Sequence, residues 1–344
     1  MSRVALACVL VLAGTGLALA QEQLIPDSPS AFGPPSVATP PRLDIDPNRP
    51  TLPSPSDLPA DHKPAAPGAD LAFGAYQRGF YSTAMREAMT RVRRNPNDGP
   101  AMTLIAELYQ QGLGVEPSLP EAARWYALAA DAGDAQGMFQ LGLMRMKGDG
   151  IKQDRAGAKE MFLKAAALDH PGAQFYLGVM ALQNNGVVPD YDAAASYFER
   201  SAGLGNVEAQ YAMAIIYRNG TGRPKDDAKA AELMKQAADN DNTAAQVEYG
   251  IMLFNGVGTP KNEAAAARYF IKAAGHNNPV AQDRAARLYV TGRGVKKDVI
   301  EGMKWHMLSR ASGLRDDWLD SEMNKLTRDE RNAVELAVRR YVGS

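Results

Sequence analysis

Cysteine is all but missing from this chain: Cys8 is the only one, and it lies in an apolar leader. The mature chain therefore has no thiol, which excludes a disulfide, a thiolate metal site and a cysteine nucleophile, and leaves packing as the source of stability. Charge of either sign is in balance, with 38 Lys and Arg against 39 Asp and Glu and a formal net charge of -1. Binders of phosphate backbones present a basic domain or stripe, so no nucleic-acid partner is expected. Only four histidines occur, His62, His170, His276 and His306, and none stands at metal-ligand spacing from another. A Gly-x-Ser-x-Gly elbow, a phosphate loop ending in Lys-Ser/Thr and a Ser-x-x-Lys set with its companions are all lacking. No cofactor, metal ion or catalytic residue is expected, and the chain reads as a non-enzyme.

Long apolar runs are lacking after residue 20, so no stable membrane insertion is expected of the mature chain. Met1 to Ala20 is the exception: Arg3, an apolar stretch from Val4 to Leu19 and the small-x-small site Ala18-Leu19-Ala20 form the pattern of an export signal. Cleavage after Ala20 delivers the chain to the periplasm, or to the medium if it is secreted; retention would leave it as an anchor. Residues 21-68 hold 13 of the 22 prolines and few large apolar residues. A segment so rich in proline loses amide donors and cannot form a core, so it reads as a disordered, semi-rigid linker.

The body is organised by a period of 36 residues. A small residue recurs at Ala106, Gly142, Gly178, Ala214, Gly250 and Ala286, and eight residues later a glycine recurs at Gly114, Gly150, Gly186, Gly222, Gly258 and Gly294. Sixteen after the first series come Ala122, Ala158, Ala194, Ala230, Ala266 and Gly302, and three beyond those a large residue: Trp125, Met161, Tyr197, Leu233, Tyr269 and Trp305. Each unit predicts two helices. Ala209 to Tyr217 suits a buried first helix stopped by Asn219-Gly220-Thr221-Gly222, and a second opens at Asp226-Asp227 and runs to Ala238. Such a pair cannot bury its apolar faces alone and must stack on its neighbours.

The units read Ala-x-x-x-Leu-Gly-x-x-Tyr-x-x-Gly-x-Gly-Val and Ala-x-x-Trp-Tyr-x-x-Ala-Ala-x-x-Gly, as in 137-151 and 122-133. In these motifs the chain resembles the Sel1-like repeat family, relatives of the tetratricopeptide repeats, over about residues 99-314. Repeat three departs from the pattern, with Asn184 in place of the first glycine. The resemblance implies an all-α superhelical solenoid with first helices on the concave side, and it implies no catalytic residue. The expected organisation is a signal peptide over 1-20, the linker over 21-68, a tetratricopeptide-like N-terminal cap over 69-98, six repeats over 99-316 and a C-terminal helical cap over 317-344. In that last segment Thr327 and Glu330 form a capping-box pattern.

If the first helices follow tetratricopeptide geometry, the residues three before and one after the small position face the groove. In repeats two to five these are Phe139, Phe175, Tyr211 and Val247, then Leu143, Val179, Ile215 and Ile251; the position four after adds Met146, Leu182, Arg218 and Phe254. Glu107 at one end and Asp283 and Arg287 at the other close the groove with charge. These columns either line an open groove for an amphipathic or extended peptide, or they are core buried between neighbouring repeats. The functional expectation is a scaffold or regulatory adaptor for another envelope protein, possible partners including a membrane signalling protein that it restrains. A peptidoglycan-binding or processing protein and a secreted factor acting on a host protein are the alternatives.

Overall fold

The computed structural model describes residues 70–183 and 188–343. The export signal, the whole linker with His62, and the Asn184 departure lie outside the described residues. Sixteen helices are found among them, with no strand, so the chain is all-α. Two come first, α1 (Leu71–Gln77) and α2 (Tyr81–Arg94). Six pairs then alternate a first helix A with a second helix B. They are α3 (Gly99–Gln111) with α4 (Leu119–Asp131), α5 (Ala135–Lys147) with α6 (Arg155–Ala166), and α7 (Pro171–Gln183) with α8 (Tyr191–Gly203). Next come α9 (Val207–Asn219) with α10 (Asp227–Asp239), α11 (Thr243–Asn255) with α12 (Glu263–Gly275), and α13 (Pro279–Thr291) with α14 (Val299–Ala311). The chain ends in α15 (Asp317–Asn324) and α16 (Arg328–Val342). Thr327 and Glu330 form the expected capping box at the start of α16.

The repeat boundaries follow from local hydrogen bonding. Every helix A is opened by a side chain that accepts from the amide three residues on, through Asp98, Asp134, His170, Asn206, Asn242 and Asn278. Every helix B is opened the same way by Ser118, Asp154, Asp190, Asp226, Asn262 and Asp298. Each cap satisfies one of the donors that the first helical turn leaves without a partner, worth about 1 kcal/mol. His170 therefore stands in for an asparagine: its Nδ1 accepts from the Ala173 amide at 3.1 Å. The residue before five of the six A-helix caps, all but Asp98, has positive φ, and at Asp169, Asp241 and Asn277 it is not glycine. Asp and Asn are the side chains that tolerate that region best.

The chain divides into two compact units, one ending at Met161 and one starting at Phe162, each with its own apolar core. Within each unit a helix A packs on its own helix B, and that B on the A of the next pair. The deepest large side chains in helix B are Tyr126, Phe162, Phe198, Met234, Phe270 and His306, none more than 2 % exposed. These lie one residue beyond the large column singled out in the sequence, whose Trp125, Tyr197, Leu233 and Tyr269 are only partly buried. The small residue of helix A makes room for this inner column: a Cβ on Gly178 would lie 2.6 Å from the Phe198 ring. A second tie joins successive pairs. The buried Gln174, Gln246 and Gln282 donate from Nε2 to the carbonyls of Ala166, Ala238 and Ala274, at the C-terminal ends of the preceding B helices. Those carbonyls have no partner within their own helix.

Candidate partner-binding cleft

Helix α9 is apolar almost all round, and Tyr211 through Ile216 are all buried. In the unit from Phe162 onward the expected groove columns therefore split. Phe175, Val179, Leu182, Tyr211, Ile215 and Val247 are at most 9 % exposed: in the central repeats these six positions belong to the core between neighbouring helices. Burial, with Glu248 adding to it, pushes the Tyr211 hydroxyl up to about 12. Arg218 is partly exposed but already paired, its Nη1 2.7 Å from Glu248 Oε2 on the next A helix. Exposed pairs of this kind contribute about 0.2–1 kcal/mol.

Ile251, Phe254 and Arg287 remain partly accessible, and they line one cleft of about 310 Å³. Helix α11 supplies Ile251 and Phe254, α12 supplies the buried Phe270, and α13 supplies Arg284, Arg287 and Leu288. The turn after α13 contributes Arg293 and α15 contributes Trp318. The guanidiniums are held in place. Arg287 Nη2 lies 2.5 Å from Asp316 Oδ2, and its Cζ lies 5.2 Å from the centre of the Trp318 ring. Arg293 Nη2 lies 2.5 Å from Glu263 Oε1, and its Cζ lies 4.4 Å from the Phe254 ring centre. Arg284 is exposed and makes no hydrogen bond or ion pair among the described residues.

Asp283, at the expected groove end, lies 3.8 Å from Arg287 and beside the Asp316 carboxylate. Burial, then the neighbouring Asp316 carboxylate, push the Asp283 carboxyl up to about 6. Asp316 is itself buried, yet the Leu319 amide and Arg287 hold it below its ordinary value. A carboxyl whose pKa is higher folded than unfolded stabilises fully below about pH 4, and that contribution is lost as pH rises through about 6. Asp283→Asn is therefore expected to raise the melting temperature at about pH 8, by about 2–4 °C for ~1 kcal/mol in a chain of this size. At about pH 4 it should give no gain. Thermal melts at the two pH values check this, and a gain at the lower pH only would reverse the sign.

In the unit ending at Met161, Phe139, Leu143 and Met146 are partly buried. Glu107 is partly buried as well, and burial holds its carboxyl above the ordinary value. Reading the columns alone missed Arg284, Arg293 and Trp318, since each lies outside the three chosen positions. The recurring Gly-x-Gly turn that carries Arg293, and a tryptophan just beyond the last repeat, were the available signals. Among the described residues no group of three or more His, Cys, Asp or Glu side chains is placed to hold a metal ion, and no helix is long and apolar enough to cross a membrane.

The architecture is shared with known proteins. A solved Sel1 repeat protein from Oxalobacter formigenes is similar at a TM-score of 0.60 and 27% identity, over 70% of this chain and 97% of that one. A protective antigen present in uropathogenic Escherichia coli strains, displaying an SLR fold, aligns at a TM-score of 0.49 and 24% identity, over 79% of this chain and 67% of that one. No curated protein gave a match. The Sel1 repeat family model matches six consecutive stretches, 99–134, 135–170, 171–206, 207–242, 243–278 and 279–307, and these run in step with the capped helix pairs. The chain thus belongs to the Sel1 repeat proteins, a family of helical solenoids that serve in general as protein–protein interaction scaffolds.

Proposed function

We propose that this Sel1 repeat protein is an adaptor of the bacterial cell envelope that holds a segment of another envelope protein, a membrane signalling protein being one such partner. The observation that carries the reading is the accessible cleft of repeats five and six, where Ile251, Phe254 and Trp318 stay partly exposed beside three arginines. Single exposed apolar side chains are ordinary on a surface, but a contiguous accessible apolar set rimmed by polar groups marks an interaction site. The leader pattern at Met1 to Ala20 supports export, and the proline-rich stretch that follows suits a spacer between the membrane surface and the repeats. Phe139, Leu143 and Met146 form a second partly accessible set for the same kind of contact.

The test is cross-linked affinity capture of the tagged full-length chain from envelope fractions, beside a Phe254→Glu variant whose helicity is verified. One dominant envelope protein captured by the wild type and reduced at least tenfold by the variant is the expected result. No specific protein with the wild type, or recovery of the chain in the cytoplasmic fraction, would overturn the envelope-adaptor reading.

A further inference from the structure

We infer that the cleft of repeats five and six takes an extended peptide segment carrying a carboxylate next to a bulky aliphatic or aromatic side chain. The inference rests on the scaffold reading above and specifies the partner's chemistry.

The apolar part of the cleft lining is Ile251, Phe254, Phe270, Leu288 and Trp318. At about 310 Å³ it has room for one or two side chains, the lower end of the range for ligand sites. Its charged lining is all of one sign: Arg284, Arg287 and Arg293 line it, and no acidic residue does. Glu263 and Asp316, which hold Arg293 and Arg287, are not part of that lining. Each of these two arginines is fixed by a carboxylate and laid against an aromatic ring, so much of its side-chain entropy is already lost before a ligand arrives. A planar guanidinium with five donors keeps further N–H groups for a second acceptor. Arg284 adds a positive charge that no ion pair compensates among the described residues. Charge-assisted, directional donors in one lining with apolar side chains match a carboxylate flanked by an apolar side chain. A nucleic acid requires a wider field of cations, and the whole chain carries a net charge of -1.

The test uses the full chain and three fluorescein-labelled, end-capped peptides that alternate Leu with Glu, with Gln or with Lys, followed by fluorescence anisotropy. The Leu–Glu peptide is expected to bind at least tenfold more tightly than the Leu–Gln peptide, and the Leu–Lys peptide more weakly still. Arg284→Gln, at an exposed position, should cut the Glu-over-Gln preference to below threefold with helicity unchanged, and Phe254→Ala should weaken both peptides. No saturable binding of the Leu–Glu peptide, equal binding of the Glu and Gln peptides, or an unchanged preference in Arg284→Gln would each overturn the inference. A protein captured equally by wild type and Arg284→Gln would leave the scaffold reading standing and remove this cleft from it. Intact peptide discrimination with no captured protein would do the opposite.

Discussion

Gly258→Asn is expected to destabilise the protein by about 3 kcal/mol, while Gly256→Asn, two residues earlier, costs about 1 kcal/mol or less. Both glycines are left-handed, at φ +68° and +74°, and asparagine tolerates that region, so backbone strain alone does not separate them. Their surroundings do. A Cβ on Gly256 meets the Lys261 Cβ at 3.2 Å and its backbone nitrogen at 3.3 Å, a tight contact that a shift of the turn by a few tenths of an ångström relieves. A Cβ on Gly258 would overlap the backbone carbonyl of Asp227, the first residue of α10 in the preceding repeat. Relief there means lifting one repeat off the next, and in a stacked array that interface is a large part of the stability. The same collision recurs at Gly150 with Leu119, at Gly222 with Tyr191 and at Gly294 with Glu263. The sequence agrees: the first glycine is already replaced by Asn184 in repeat three, while the second is present in all six repeats. Urea unfolding followed by far-ultraviolet circular dichroism measures both variants, and equal costs would show that left-handed backbone rather than close approach keeps the second glycine.

What was legible in the sequence is what depends on near neighbours along the chain. Caps such as Asn206 and Asp226, and the left-handed position filled by Gly133, Asp169, Gly205, Asp241, Asn277 and Gly313, act over three or four residues. They recur at 36-residue spacing whatever the tertiary packing does. Depth is a different matter. Tyr197 and Phe198 are adjacent and both aromatic, and only the roll of α8 against α7 decides that Phe198 is the one buried. In α9 hydrophobicity runs around the helix, so the pattern gave no means of telling a groove face from a core face. The cleft is harder still to anticipate. It draws on three helices of the last two repeats, a turn, and Trp318 beyond the array, so no single column of the period describes it. Arg284 is one residue from Asp283 in the chain, yet it is exposed and lines the cleft while Asp283 turns toward Arg287 and the Asp316 carboxylate.

Phe175→Asp is expected to cost more than about 4 kcal/mol and to unfold part of the array at ambient temperature, where Phe254→Asp costs about 1–2 kcal/mol and leaves the protein folded. Phe175 is 3 % exposed, its ring centre 5.5 Å from Phe198 and 5.7 Å from Tyr176. Truncating a phenylalanine in such a site costs about 3–5 kcal/mol through lost contact and residual cavity. A carboxylate left there without a partner adds the penalty of a buried polar group, or takes up a proton to avoid it. Its pKa would then lie above that of an unfolded aspartate, so the variant should lose less stability at about pH 4 than at about pH 7. Phe254 is partly exposed, with Arg293 over its ring, and a carboxylate placed there has water and a guanidinium within reach. Circular dichroism and urea melts at the two pH values test both variants. If Phe175→Asp folded with near wild-type stability, its column would have to face solvent, and the partner's seat would extend from repeats five and six back along α7 and α9. If it unfolds while Phe254→Asp folds, contact with a partner in this unit is confined to the accessible end where Ile251, Phe254 and Arg287 meet.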